Sequence, residues 1–311
     1  MSNNNNKIWI AVDWGTSNLR VWLMSEGNIL AMKSSPQGMS GLTQAEYEPV
    51  LMELISEWLD KYSMGAKLQV IACGMVGSQQ GWREAGYTPI PSSPSDVDVT
   101  KPHVEDARID VSILAGLSQS EPSDVMRGEE TQIAGFFAKN ADFSGLICMP
   151  GTHSKWAFLA NGEVVKFKTV MTGEMYSIIC DHSVLRQLVN KNASDTQAFQ
   201  KGVLEGAQDP ELLLSNLFSI RARSVLESVN SNASAAHLSG LLIGTEIATM
   251  RKLMPSDTIK LLGSGVLAEL YAEAFAVLGQ SITPMDVTEL TVLGLHKAWQ
   301  NLTKEKYLNV S

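Results

Sequence analysis

The sequence has few cysteines and no strongly basic segment, and both absences exclude classes of protein. Its three cysteines, Cys73, Cys148 and Cys180, are an odd number without C-x-x-C spacing, which argues against a disulfide framework or a zinc site. The formal net charge is -9, and the sequence lacks the clustered Lys and Arg that a nucleic-acid backbone requires. We therefore expect no nucleic-acid partner.

Long apolar runs and metal-binding motifs are also missing. No apolar run approaches the roughly 20 residues of a membrane helix, and the N-terminal stretch "MSNNNNK" lacks the charged and then apolar layout of a signal peptide. The five histidines are scattered without an H-x-x-x-H pair, so a tightly held transition metal is not expected. These absences predict a cytoplasmic protein with no membrane partner.

One local pattern occurs twice in the sequence. Ile10–Met24 reads "IAVDWGTSNLRVWLM" and Leu146–Val170 reads "LICMPGTHSKWAFLANGEVVKFKTV". Each is a strand, a turn that contains Gly-Thr and small polar residues, and a second strand. Gly15-Thr16 aligns with Gly151-Thr152, and this self-similarity predicts two related α/β halves that begin near residues 7 and 145. A chain of 311 residues is long enough for two such halves.

The two turns have an ordinary interpretation and a functional one. Gly, Ser, Asn and Asp are common in hairpins because they tolerate positive φ or bond their own backbone. Two halves that grip a polyphosphate would both need such a turn, because glycines let the backbone approach the oxygens and N–H groups and hydroxyls donate to them. Asp13, before the first turn, can then hold a hydrated cation. The repetition favours the functional interpretation.

A third glycine turn lies late in the sequence. The segment "LLGSGVLAELY" fits G-x-G-x-x-A between a strand and a helix, which is the outline of a dinucleotide-binding turn. That alternative is open but disfavoured, because a turn at Gly263 leaves room for only part of such a domain. A P-loop is excluded, since G-x-x-x-x-G-K-[ST] does not occur.

The order of these turns resembles that of the actin-like, sugar-kinase and heat-shock ATPase fold. The resemblance becomes specific in the segments "DWGTSNLR", "GMVGSQQGW", "VMRGEETQ", "MPGTHSKW", "TVMTGE" and "LSGLLIGTE". In order and spacing they are similar to the 2-dehydro-3-deoxygalactonate kinase family, from Ile8 to the last helix. The resemblance implies an α/β fold with two ribonuclease-H-like domains and an interdomain cleft. The implied halves are residues 1–140 and 141–311.

The resemblance implies a sugar-acid kinase of galactonate catabolism, which uses ATP and Mg²⁺ to convert 2-dehydro-3-deoxy-D-galactonate to its 6-phosphate. A kinase for another 2-keto-3-deoxy sugar acid is an alternative, and a non-kinase actin-like ATP-binding protein is a further one. A module that only binds ATP has no need of "MVGSQQGW" or of paired acids after an arginine. The expected partners are ATP and a small sugar acid, and a homo-oligomer is left open.

The resemblance also implies the nucleotide-binding residues. Asp13 would hold hydrated Mg²⁺, the two Gly-Thr turns would contact the phosphates, and the third glycine turn would contact the adenosine. The implied ATP-binding residues are Gly15, Thr16, Ser17, Asn18, Gly151, Thr152, His153, Ser154, Gly263, Ser264 and Gly265. The halves are expected to close on binding, because water must leave before phosphoryl transfer.

The carboxylate of the implied substrate needs a cationic or amide clamp. Arg127, Arg20 and Arg83 are the candidates, and surface ion pairing is the alternative role of each. Arg127 is the first of them because it directly precedes two acids. The other substrate-side candidates are Gly77, Ser78, Trp82 and Lys155. Core packing is the commoner role of a tryptophan, and a lysine beside a hairpin is as often a solvated rim residue.

The catalytic base is expected among the acids of "VMRGEETQ". Glu129 and Glu130 open a helix, where each also complements the helix dipole by about 0.3 to 1 kcal/mol. Adjacent helical positions point about 100° apart, so only one of the two faces the substrate hydroxyl. We expect Glu130 to be the base and Glu129 the supporting acid, with Asp13 completing the catalytic set. Glu174 of "MTGE" is the next candidate.

Overall fold

The computed structural model of the chain describes residues 8–190 and 195–308. The stretch "MSNNNNK", from which we argued localisation, lies outside the described residues. The strands are β1 (Ile8–Trp14), β2 (Leu19–Ser25), β3 (Asn28–Ser35), β4 (Leu68–Gly74), β5 (Tyr87–Pro89), β6 (Val99–Thr100), β7 (Ile109–Leu114), β8 (Gly116–Gln119), β9 (Asp124–Met126), β10 (Gly145–Met149), β11 (Ser154–Ala160), β12 (Glu163–Val170) and β13 (Ile259–Leu261).

The α-helices of the described residues lie between and after these strands. They are α1 (Tyr47–Tyr62), α2 (Glu129–Lys139), α3 (Thr172–His182), α4 (Thr196–Gln208), α5 (Leu213–Leu226), α6 (Ser231–Leu253), α7 (Gly265–Val277) and α8 (Val287–Leu308). The chain divides into two compact units. Within the described residues, the first unit runs to Phe143 and adds Ala160–Lys166 and the chain from Val287 onwards, and the second comprises Ser144–Leu159 and Phe167–Asp286.

The first unit is built on a six-stranded sheet of order β3-β2-β1-β4-β7-β6. Strands β1, β2 and β3 form consecutive antiparallel hairpins, whereas β4 runs parallel to β1. Ile10 and Val12 of β1 pack in the same core cluster as α1, while Trp9 and Ala11 pack with residues of α8. Both faces of the strand are therefore covered, which explains its continuous apolar sequence.

The second unit is built on a four-stranded sheet of order β12-β11-β10-β13. Strand β11 is antiparallel to β10, and β13 is parallel to it on the other side. The first unit has the same arrangement in β3-β2-β1-β4. The predicted internal repeat is thus confirmed in the topology of the two sheets.

Glycines allow two pairs of helices to approach very closely. A Cβ atom on Gly135 of α2 would lie 1.9 Å from the carbonyl oxygen of Leu290 in α8. In the second unit, a Cβ atom on Gly240 of α6 would lie 2.0 Å from the carbonyl oxygen of Phe199 in α4. Only glycine fits at such distances, so α2 packs directly on α8, and α6 packs directly on α4.

The last helix corrects the predicted division at residues 141–311. Although it follows the second unit in sequence, α8 belongs to the first unit. Trp299 stacks on Trp9 with the ring centroids 5.4 Å apart, and Leu295 is fully buried in the same cluster. The sheet face that carries Trp9 requires an apolar cover, and α8 supplies it.

Candidate active site

The first Gly-Thr turn, Gly15–Asn18, connects β1 and β2 and is braced by the chain that follows β3. Met39 N–H donates to the carbonyl oxygen of Gly15, and Ser40 N–H donates to that of Thr16, both at 3.0 Å. A Cβ atom on Gly38 would lie 2.3 Å from the Thr16 carbonyl oxygen, so this close contact requires glycine. Residues 16–18 remain exposed. The turn is therefore held from behind while its polar side chains face solvent.

Asp13 lies just before this turn and is paired with Arg20. The two residues are direct partners in the β1–β2 register, and Arg20 Nη2 forms an ion pair with Asp13 Oδ2. Arg20 Nη1 donates to Thr288 Oγ1 at 3.0 Å. The Arg20 guanidinium is thus engaged within the unit by Asp13 and Thr288, and its role as a clamp for substrate stays a prediction.

Two glycines bring the start of α2 to the end of β1. Gly74, at the end of β4, has φ +90°, and a Cβ atom on it would lie 2.8 Å from the Trp14 carbonyl oxygen and 3.5 Å from Asp13 Oδ1. Gly128 has φ +102°, and its Cβ position lies 3.4 Å from Gly74 Cα. Both positions favour glycine because L side chains rarely adopt such φ values. The acid pair at the start of α2 consequently lies near Asp13.

Glu130 is the buried member of that pair. It is 1% exposed, its Oε2 accepts from Gly128 N–H at 2.6 Å, and its Oε1 accepts from Thr131 Oγ1 at 3.0 Å. Burial, and to a smaller extent the nearby Glu129 carboxylate, raises the pKa of Glu130 to about 7. Glu129 is half-buried, and its Oε2 accepts from Arg127 N–H at 3.1 Å.

Cys73 lies between Asp13 and the start of α2. Its Sγ is 4.0 Å from Asp13 Oδ1, and its side chain also contacts Thr131. Burial raises the pKa of the Cys73 thiol, and the Asp13 and Glu130 carboxylates raise it further. The thiol is therefore neutral and serves as a packing residue between two carboxylates, as expected for a cysteine in an apolar run.

The Arg127 guanidinium has unsatisfied hydrogen-bond donors. It stacks on the Tyr87 ring at 4.3 Å, and its Nη2 donates to the Gly86 carbonyl oxygen at 2.8 Å. Its Nε and Nη1 are buried without a hydrogen-bond partner among the described residues, and so is Ser78 Oγ. A Cβ atom on Gly77 would lie 2.9 Å from Arg127 Nη1, so glycine makes room for the guanidinium. Unpaired buried donors are costly, and a bound anion would satisfy them.

Trp82 is a core residue in this structure. Its ring stacks on Tyr47 at 6.1 Å with an interplanar angle of 12°, and only 8% of the residue is exposed. Both rings belong to the main apolar cluster of the first unit, together with Trp14. This packing agrees with core packing as the commoner role of a tryptophan, and a substrate contact of Trp82 stays a prediction.

The second Gly-Thr turn, Gly151–Ser154, is braced by the start of α3. A Cβ atom on Gly173 would lie 2.6 Å from the Gly151 carbonyl oxygen, and Glu174 N–H donates to the Thr152 carbonyl oxygen at 3.0 Å. The exposed His153 places its Nε2 2.5 Å from Glu174 Oε2. Glu174, the next candidate for a base, is therefore a partner of this turn.

Ser154 and Lys155 are buried. Ser154 is fully buried, and its Oγ is 2.9 Å from the Tyr271 hydroxyl. The Ser154 side chain therefore packs inside the unit, and the approach of this turn to the phosphates stays a prediction. Lys155 is 6% exposed, with its Nζ donating to the His153 carbonyl oxygen at 3.3 Å, so it is not a solvated rim residue.

The third turn precedes α7, and a cavity that the sequence did not reveal lies beside that helix. Gly263 N–H donates to the Met285 carbonyl oxygen at 3.0 Å, Ser264 is the extended N-cap residue of α7, and Gly265 has φ +70°. The cavity has a volume of about 280 Å³ and is predominantly apolar, and the polar side chains in its lining include Asp195, Ser239 and Glu273. Its lining also includes Thr172 and Gly173 in the first turn of α3, and Val266 and Leu267 in the first turn of α7.

No cluster of three or more His, Cys, Asp or Glu side chains is placed to hold a metal ion in the part of the chain that the structure describes. Mg²⁺ in kinases is usually held by one or two carboxylates together with substrate phosphates. Asp13 fits that pattern, since it is partly exposed and the donor near its Oδ1, among the described residues, is the weak thiol of Cys73.

Comparison with known proteins identifies the family. The sequence profile described as DGOK, 2-keto-3-deoxy-galactonokinase, matches residues 13–298. The chain belongs to the 2-keto-3-deoxy-galactonokinase family. It is 34% identical over 278 residues to the Escherichia coli (strain K12) 2-dehydro-3-deoxygalactonokinase, covering 88% of this chain and 91% of that protein.

Other members of the family are at least as similar. The probable 2-dehydro-3-deoxygalactonokinase DgoK1 of Rhizobium meliloti (strain 1021) is 38% identical over 297 residues, covering 93% of this chain and 96% of the relative. A crystal structure described as that of a 2-dehydro-3-deoxygalactonokinase from Sinorhizobium meliloti superposes with a TM-score of 0.88 at 37% identity, covering 94% and 99% of the two chains.

The family match confirms the resemblance, the kinase class and the fold. The fold is the mixed α/β fold of actin-like ATPases and sugar kinases, and proteins of this family use ATP as phosphoryl donor. Among the described residues, no helix is both long and apolar enough to cross a membrane.

Proposed function

We propose that this protein transfers the γ-phosphoryl group of ATP to the 6-hydroxyl of 2-dehydro-3-deoxy-D-galactonate, in the cytoplasm and as a step of galactonate catabolism. The single observation that carries the proposal is the family match over residues 13–298. The geometry of the first unit is consistent with it. An exposed glycine turn, a carboxylate, an acid pair and an arginine with unpaired donors are the parts that sugar phosphorylation requires.

Arg127 and Ser78 form the clamp for the substrate carboxylate in this proposal. The Arg127 Nε and Nη1 and the Ser78 Oγ are buried polar atoms without partners among the described residues. A carboxylate accepts from an arginine through two parallel hydrogen bonds, so it would satisfy the guanidinium. The stacking of Arg127 on Tyr87 fixes the plane in which those bonds form.

The acid pair supplies the proton acceptor. Glu130 has a pKa of about 7, which suits a base at neutral pH, but it is almost fully buried and its oxygens already accept two hydrogen bonds. Glu129 is the accessible member. We therefore assign the proton transfer from the substrate hydroxyl to Glu129 and the positioning of the start of α2 to Glu130. These two roles are the reverse of those expected from the sequence, in which Glu130 is the base and Glu129 the supporting acid.

Asp13 and the exposed residues Thr16, Ser17 and Asn18 serve the phosphates, with Asp13 holding hydrated Mg²⁺. When bound, Mg²⁺ neutralises charge on the phosphate oxygens. In the second unit, Thr152 and His153 serve the phosphates. The cavity beside α7 takes the adenosine, because its apolar lining with a few polar groups is typical of a site for a nucleoside.

An assay of the purified protein with Mg-ATP and a panel of 2-keto-3-deoxy sugar acids tests the proposal. We expect ADP and a 6-phosphorylated product with 2-dehydro-3-deoxy-D-galactonate, and little ADP when no acceptor is present. Preferred phosphorylation of another panel member would favour the alternative sugar acid. ADP release without any phosphorylated acid would favour an ATP-binding protein that is not a kinase.

A further inference from the structure

The segment "LSGLLIGTE" ends in a buried carboxylate that the proposed mechanism does not use. Glu246 lies within α6 and is 3% exposed. Its Oε1 accepts from Trp156 Nε1 at 2.7 Å, and its Oε2 accepts from the Tyr271 hydroxyl at 2.7 Å. The side chains of Thr172 and Ser154 also hydrogen-bond to it.

The donors to Glu246 come from separate elements of the second unit. Ser154 ends the second Gly-Thr turn, and Trp156 follows it in β11. Thr172 is the first residue of α3, the helix that braces the same turn. Tyr271 is in α7, which begins immediately after the third glycine turn. One carboxylate therefore joins the elements that carry both glycine turns of the unit.

Simple stability does not account for this arrangement. Removing a carboxylate from water costs several kcal/mol, and apolar residues of similar volume usually stabilise a core at least as well. The surroundings of Glu246 are strongly apolar. Its donors Trp156 and Tyr271 belong to a core cluster that also contains Cys148, Phe275 and Ile247. What a buried charge with directional hydrogen bonds adds is a fixed geometry among its donors.

We infer that Glu246 is a positioning residue for ATP, which acts through Tyr271 and Ser154 to hold the second Gly-Thr turn in register with α7. The inference rests on the proposed function for the identity of the nucleotide. Glu246 itself is almost fully buried, so it acts through these neighbours. The cavity lining includes Thr172 and Val266, so a shift of α3 or α7 would also change the cavity.

The sharpest test is Tyr271→Phe, which keeps the buried ring and removes only the hydroxyl that donates to Glu246 and lies 2.9 Å from Ser154 Oγ. The matched control is Ile247→Val, which removes one buried methylene from the next residue of α6 and touches no polar group. For both variants we would measure the melting temperature, hydrogen exchange at the amides of residues 151–154, and the affinity for a non-hydrolysable ATP analogue. We would also measure the KM for ATP and the KM for the sugar acid in both variants.

With Tyr271→Phe we expect faster exchange at residues 151–154 and about tenfold weaker binding of the ATP analogue, equivalent to the loss of one hydrogen bond. The KM for ATP should rise while the KM for the sugar acid stays unchanged. Ile247→Val should lower the melting temperature to a similar extent without changing exchange at the turn or the affinity.

Unchanged exchange and affinity in Tyr271→Phe would overturn the inference, and so would equal effects in the two variants. Hydrogen exchange at the turn is measured without any substrate. It therefore tests the positioning role of Glu246 independently of the reaction. If exchange responds as expected but the wild-type protein phosphorylates no sugar acid, the proposed function fails and the structural role of Glu246 stands.

Discussion

Each unit of the protein contains a glutamate that is buried in a helix near a glycine turn, and the two are held differently. Glu130 accepts from Gly128 and Thr131, which are its neighbours in sequence. Glu246 accepts from Trp156 and Tyr271, which are 90 and 25 residues away. A carboxylate held by local donors fixes only its own turn of helix, whereas one held by distant donors fixes the packing of several elements.

The charges around the two glutamates also differ. Glu129 adjoins Glu130 and contributes to raising its pKa to about 7. Burial also raises the pKa of Glu246, but the hydrogen bonds from Thr172, Tyr271, Trp156 and Ser154 oppose that shift. The first glutamate is therefore poised for a change of protonation near neutral pH.

The acid pair of α2 should give the largest effect on turnover. We expect Glu129→Gln to reduce kcat by about 10² to 10⁴, the usual contribution of a general base, with little change in melting temperature. Glu130→Gln should have a smaller effect on kcat, because its carboxylate is almost fully buried. Steady-state kinetics of both variants, with circular dichroism as a check on folding, measure this. A larger loss of kcat in Glu130→Gln than in Glu129→Gln would instead indicate that Glu130 is the base, as expected from the sequence.

Asp13 tests whether the chemistry of the first unit depends on a cation. We expect Asp13→Asn to lower turnover by about a hundredfold, since the amide keeps the size of the side chain but loses the charge that holds Mg²⁺. The Mg²⁺ concentration for half-maximal activity should rise. The control is Asp110→Asn in β7, which breaks an ion pair between Asp110 and Lys101. It should leave the Mg²⁺ dependence unchanged. A normal Mg²⁺ titration in Asp13→Asn would exclude this metal assignment.

The raised pKa of Glu130 predicts how stability depends on pH. Because the folded protein binds this proton more tightly than the unfolded chain, the stabilisation is fully present below pH 4.5 and is lost as pH rises through about 7. The loss is at most about 3 kcal/mol in free energy of unfolding. Glu130→Gln should flatten this part of the pH profile in urea unfolding, whereas the exposed Glu57→Gln should not. Parallel profiles for wild type and Glu130→Gln would contradict the assigned protonation.

Arg127 should give the smallest of these effects, and one confined to the sugar acid. Arg127→Lys keeps the charge but loses the planar fork and the stacking on Tyr87, so we expect about a tenfold rise in KM for the sugar acid. The KM for ATP should not change. Arg108→Lys, which alters an ion pair with Asp60 and Asp106, is the control. A rise in both KM values for Arg127→Lys would indicate a general disturbance of the first unit.

The sequence was sufficient to predict the glycine turns, because each lies between apolar strands and the pattern is repeated. The sequence is also sufficient to predict that Asp13 and Arg20 pair across the two strands. A four-residue turn between Trp14 and Leu19 makes Asp13 and Arg20 cross-strand partners. Ion pairing is the ordinary role of an arginine in such a position, and the structure shows the ion pair with Asp13 within the unit.

Other features of the site depend on tertiary packing that no local pattern encodes. Ser154 follows a turn like any exposed serine, and only the position of Tyr271 in α7 makes it a buried partner. The cavity is assembled from α3, α4, α6 and α7, which are distant in sequence. The amphipathic pattern of α8 predicted a helix but not its partner, because apolar faces on either unit would satisfy it.

The place of α8 has a consequence for the synthesis of the protein on the ribosome. The first unit needs Leu295 and Trp299 to cover Trp9 and Ala11 of its sheet, yet these residues are translated after the whole of Ser144–Asp286. The second unit can therefore complete its core while the first still exposes one apolar face of a nearly finished sheet. Until the last helix emerges, that face is a surface on which chaperones can act.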